Sequence, residues 1–168
     1  SFTNERENVD KDLVKRAYDN SVSYLSSKYK DLFTDLRDKY DLIITCGDHG
    51  ELFGESSGDS LWGHFHGIYE ELTNVPLVIS GKSISDERTE EAVSLKSIYD
   101  TVLMSAGLNF AGNDLRETGN NNNPVLTQTH GIADHQFESI ERRRRQAVMR
   151  KSKQFNKRYD GIAIGDYY

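Results

Sequence analysis

Asp48 and His49 stand side by side where a short apolar run ends, in the phrase DLIITCGDHGELFG from Asp41 to Gly54. One supplies a hard carboxylate oxygen and the other an imidazole nitrogen, donor types that together suit a divalent cation. Gly47 and Gly50 flank the pair and let the backbone turn sharply and approach a ligand closely. The tripeptide Asp48-His49-Gly50 also reads as a turn whose carboxylate bonds its own backbone, and alone it does not choose between the two. Downstream, the segment Glu51 to Gly67 carries Gly54, Gly58, Gly63 and Gly67 with Ser56, Ser57 and Ser60, a composition that opposes regular structure. It also holds Trp62, His64, Phe65 and His66. Aromatic and imidazole side chains in a glycine-rich loop beside a metal corner are the ingredients of a loop that folds over a ligand. The plainer reading has Trp62 and Phe65 pinning the loop while the histidines face water.

The elements that must position these residues are legible in the hydrophobic pattern. Leu42, Ile43 and Ile44 form an unbroken apolar run, as in a strand of a parallel sheet covered on both faces by helices, and α/β folds place ligands at the carboxyl ends of such strands. Ahead of it, Tyr18, Val22, Leu25, Tyr29, Leu32 and Leu36 step by four and three, which predicts a long amphipathic scaffold helix within residues 10–39. Ile68 to Leu72 reads as a helical turn. Val75 to Ser80 reads as a second buried strand, with Pro76 near its start, where a missing amide costs least. The charged stretch Lys82 to Glu91 reads as a solvated loop. Ser97 and Asp100 are spaced like a variant capping box, and Gly107 stands as the terminating glycine, which predicts a helix over Ser97 to Ala106.

The rest of the chain is less patterned. Gly119 to Asn123 is a loop, Val125 to Thr129 a short strand, and Gly161 to Tyr168 a closing hairpin or edge strand. His130 and His135 read as surface residues. Arg142 to Arg158 concentrates positive charge among Ile140, Ala147, Val148 and Phe155, the pattern of a helix with a solvated basic face.

At 168 residues, with 36% hydrophobic and 10% aromatic content, the chain is about one domain long and able to build a core. Its formal charge of −6 argues against nucleic acid as a partner. No apolar run approaches the length of a membrane span, and the polar start SFTNERENVDKD lacks the features of a secretion signal. Cys46 is the only cysteine, which excludes an internal disulfide and a thiolate metal cluster and leans towards a reducing, cytoplasmic compartment.

Taken in order, TCGDHGELFGE, LWGHFHGIYEELTNVPLVISG and VSLKSIYDTVLMSAGL resemble the sulfatase family of the alkaline phosphatase superfamily. Members of that family show a strand ending in a T-x-D-H-G-E or D-N-G phrase, then W-G-H or G-K, then Y-E-E with V-P-L, then a helix closed by A-G. The helix AYDNSVSYLSSKYKDLFTDLRD also resembles the one ahead of the family's metal strand, with Ser26 where aspartate is common. Asp100 replaces a customary proline. The likeness covers residues 17–108, and residues 109–168 form a poorly defined C-terminal region.

The resemblance implies an α/β fold of the alkaline-phosphatase-like three-layer type, present as its C-terminal portion, and a metal-dependent sulfuric ester hydrolase as the parent activity. It implies that Asp48 and His49 ligate one divalent cation, calcium by family habit, with manganese or zinc as alternatives. It implies that His64 contacts the ester oxygens and assists the leaving group. His66 is a weaker substrate-binding candidate, without a family counterpart. The formylglycine nucleophile of such enzymes arises from a Cys/Ser-x-Pro-Ser-Arg phrase, which these 168 residues do not contain. The expectation is therefore a chain inactive by itself, completed by an N-terminal segment of the same domain or by a homo-oligomer that covers exposed sheet edges. The substrate is a sulfate ester or a related small anionic ester. A phosphonate or phosphodiester hydrolase, a phosphoglycerol-type transferase and a non-catalytic α/β module are the competing readings.

Overall fold

The computed structural model describes residues 10–54, 62–64, 67–82, 84–109, 111–117, 124–130 and 157–164. The expectations for 119–123, His66, His135 and most of the basic stretch from Arg142 onward lie outside them. The chain divides into two compact units, one built from segments 1–31, 49–74 and 128–159, the other from 32–48, 75–127 and 160–168.

Helix α1 spans Lys11–Leu36. Asp10 opens it as an N-cap, its carboxylate accepting the Leu13 amide at 3.1 Å and so satisfying an amide that has no partner in the first turn. The predicted stripe exists, but Tyr18, Val22, Leu25 and Leu32 are 44–66% exposed, and within it only Tyr29 and Leu36 are half-buried. Periodicity shows which face a helix can bury; it does not supply the surface to bury it against.

In the second unit, β1 (Leu42–Cys46) pairs with β4 (Leu77–Gly81). The pairing is antiparallel, from Leu42 opposite Gly81 to Cys46 opposite Leu77, where the apolar run had predicted a parallel neighbour. Nor is the pair fully buried: β1 is half-buried along most of its length, and Val78 of β4 is 52% exposed. An unbroken run of apolar residues reports that both faces prefer cover, and says nothing of the direction of the adjacent strand. The ladder runs one step further, the Gly47 amide donating to the Pro76 carbonyl at 3.0 Å. Gly47 and Pro76, between which the histidines of the loop lie in the sequence, are thus held together.

Helix α3, Ser97–Ser105, packs against β1. Its end is as predicted: Gly107 adopts φ +79°, its amide donates to the Met104 carbonyl, and the Leu108 amide donates to the Leu103 carbonyl, the paired bonds of a Schellman turn. Its start is not. Ser97 lies inside the helix, buried, and Ser94 is the residue whose hydroxyl accepts an amide, that of Lys96. Asp100 instead accepts the Asn113 amide at 3.1 Å. Thr101, fully buried, donates to the Ser97 carbonyl and accepts the Leu115 amide at 2.9 Å, so its hydroxyl is satisfied on both sides. A further two-stranded sheet joins β5 (Val125–Thr129) with β6 (Tyr159–Ala163), whose Ala163 is buried. Among the described residues, no helix is long and apolar enough to cross a membrane.

Candidate functional site

The first unit holds the histidines. Two short strands, β2 (Leu52–Phe53) and β3 (Trp62–Gly63), pair antiparallel, so the glycine-rich loop contains regular structure that its composition opposed. Two residues a side suffice because Leu52 is anchored: it is 1% exposed and forms a small core with Leu72, against which Tyr69 packs. Leu72 lies on α2 (Glu70–Thr73), the helical turn expected near Ile68 to Leu72. On α1, Tyr18 meets Phe53 edge-to-face with ring centroids 4.9 Å apart.

Register then places the chemistry. Leu52 faces Gly63 and Phe53 faces Trp62, so one step beyond the ladder Glu51 falls opposite His64. Directly opposed residues of an antiparallel pair have their Cβ atoms about 5 Å apart, within reach of a carboxylate and an imidazole. Their side chains meet accordingly, His64 Nδ1 lying 2.7 Å from Glu51 Oε2. An ionised carboxylate only accepts, so His64 donates through Nδ1 and carries its lone pair on Nε2.

His49 is fixed from the other side. Its Nδ1 donates to the Gly50 carbonyl at 2.9 Å, which likewise leaves the lone pair on Nε2. Its ring stacks on that of His64 with centroids 4.1 Å apart and planes 29° from parallel. The backbone under His49 is held by the Gly50 amide donating to the Leu72 carbonyl at 2.9 Å. Position 50 has to be glycine, because a Cβ there would overlap the carbonyl oxygen of Glu71.

His49 and His64 are therefore brought together, and Glu51 joins them. Ligating atoms of the three lie within 4.8 Å of one another. Glu51 was not legible as a site residue: its partner is 13 positions away, and only the β2–β3 register unites them. Asp48 is exposed and belongs to the segment that leaves β1, outside this group of three.

The donor set fits a divalent cation on chemical grounds. A ligating histidine commonly donates its other ring N–H to a backbone carbonyl or carboxylate, as His49 does to the Gly50 carbonyl.

Helix, paired strands and a turn-borne cluster of imidazole and carboxylate groups define an α/β chain with a candidate metal site. More specifically, the chain belongs to the Sulfatase family, whose model matches residues 2–108. That match ends at the residue where the motif likeness fades. No curated protein and no solved structure matches the chain.

Proposed function

We propose that the chain contributes the cation corner and a substrate-contacting histidine to a sulfatase-like ester hydrolase. Family membership supports hydrolase chemistry, and the observation that carries the site assignment is the union of His49 and His64 in one cluster. In this reading Asp48 and His49 hold one divalent cation, calcium in the first instance, with manganese or zinc as alternatives. Such a cation, when bound, withdraws electron density from the ester's non-bridging oxygens.

The chain's own residues do the rest. The Gly50 carbonyl orients the His49 ring, so that its lone pair, on Nε2, can serve as donor. His64, with Nδ1 held by Glu51, presents Nε2 to an ester oxygen; once that lone pair has taken up a proton, the ring would balance the charge that develops as the bond to the leaving oxygen breaks. His66 is a secondary contact to the same anion. The 168 residues contain no Cys/Ser-x-Pro-Ser-Arg phrase, so the attacking group is supplied from outside them.

Hydrolysis of aryl sulfates and aryl phosphonates, with calcium and with manganese, tests this. The chain alone is expected to show no turnover. Together with a nucleophile-bearing part it is expected to show turnover that His64→Ala lowers on the order of a hundredfold or more. Robust turnover by the chain alone, lost in Asp48→Ala, would overturn this division of labour. The ratio of sulfate to phosphonate turnover separates a sulfatase from a phosphonate or phosphodiester hydrolase or a phosphoglycerol-type transferase. A chain that melts at higher temperature with the cation and never supports turnover would be a non-catalytic module.

A further inference from the structure

We propose that His49, Glu51 and His64 form a chelating site for a first-row transition dication of the zinc type, distinct from the Asp48–His49 corner. The ligating atoms lie within 4.8 Å of one another. Tetrahedral metal–nitrogen and metal–oxygen bonds of about 2.0–2.2 Å put two ligands of one ion about 3.5 Å apart, so side-chain movement of roughly 1 Å closes the set.

Each donor is prepared for the task. The carbonyl of Gly50 fixes His49 with Nε2 as its donor atom. His64 Nδ1 and Glu51 meet at 2.7 Å across one proton, and a dication can take its place as the ring shifts to its other tautomer, that proton passing to solvent while Nε2 takes one up, so that Nδ1 and the carboxylate become ligands. The side chains of His64 and Glu51 are 36% and 29% exposed, so an ion can enter and water can complete its coordination.

The ligand chemistry sets the metal. Two imidazoles and one carboxylate suit zinc, cobalt, nickel or copper, whereas calcium demands six or more oxygens, which this trio does not offer. Placement favours the same conclusion. Glu51 and Leu52 are consecutive, and Leu52 is the most buried of the described residues in the first unit, so the backbone that carries the carboxylate is anchored beside it.

The site has a consequence that rests on the function proposed above. His49 cannot serve both the calcium corner and this trio, and His64 cannot contact an ester oxygen while it binds a metal. Zinc bound to this trio is then an inhibitor of the ester hydrolase.

The test uses the full chain without an affinity tag, titrated with Zn2+ by calorimetry and with Co2+ by visible absorption, and needs no turnover. One Zn2+ per chain is expected, weakened on the order of tenfold or more in Glu51→Gln and in His64→Ala, and unchanged in Asp48→Ala. Circular dichroism of the isosteric Glu51→Gln variant checks that the fold persists. Absence of Zn2+ binding overturns the proposal, as does binding that depends on Asp48 as much as on Glu51 and His64. Either of those results leaves the ester-hydrolysis reading standing, because that reading is tested by turnover with calcium or manganese.

Discussion

Asp114 and Arg116 show how two residues, one position apart from adjacency, fix a local conformation. The guanidinium of Arg116 donates to both carboxylate oxygens of Asp114, with contacts of 2.5 to 3.0 Å, and the Arg116 amide adds another at 2.9 Å. The Arg116 hydrogen bonds hold the Asp114 carboxyl below its ordinary value, against partial burial, which pushes it up. A group depressed in the folded state stabilises above its unfolded value, about pH 4, and loses that contribution as pH falls through the folded one. Arg116→Ala is expected to return the carboxyl to the ordinary carboxylate range and to flatten the acid limb of the stability curve below about pH 4. The Asp114 carboxyl carbon shift, followed by NMR titration, measures the first effect; an unchanged midpoint in the variant would contradict it.

At the scale of elements, two glycines are needed for different reasons. At Gly50 the obstacle is space: a Cβ would overlap the Glu71 carbonyl, on the backbone that receives the Gly50 amide through Leu72. At Gly107 nothing lies within 4 Å of an added Cβ, and the obstacle is only φ of +79°. Gly107→Ala is expected to cost about 1 kcal/mol, the strain of a left-handed alanine. Gly50→Ala is expected to cost about 1–3 kcal/mol through forced displacement of backbone, and to separate His49 from His64 as well. Urea denaturation gives both values, and Zn2+ binding reports the second effect, which Gly107→Ala leaves untouched. Equal losses in stability and no change at the histidines would argue against the crowding.

Across the whole molecule, the described residues contain few that are fully buried, and each therefore matters. Leu52, 1% exposed, closes the small core beneath the site, whereas Leu126 on β5 is 57% exposed. Leu52→Ala is expected to cost about 2–5 kcal/mol, and Leu126→Ala about 0.5 kcal/mol or less. Thermal melts of the two variants make the comparison, and parity between them would contradict Leu52 as the anchor of the first unit. The apolar stripe of α1 is the counterpoint. Its spacing was legible, but much of it faces solvent, since a stripe becomes core only when another element supplies a matching face.

By itself the sequence determined the local elements and the family. The i, i+4 and i, i+3 steps of α1, the glycine stop of α3 and the phrase ending in Asp48-His49 are written within a few residues of one another, and such patterns survive whatever the chain does elsewhere. Strand direction and Glu51 were decided only by tertiary structure. Hydrophobic runs carry no record of a neighbour's orientation, and Glu51 gains a role only because Leu52 and Phe53 pair with Gly63 and Trp62, which sets it opposite His64. The corner at Asp48 and His49 was visible as residue types. Which donors gather around His49 depends on contacts between residues far apart in the chain, which only folding brings together.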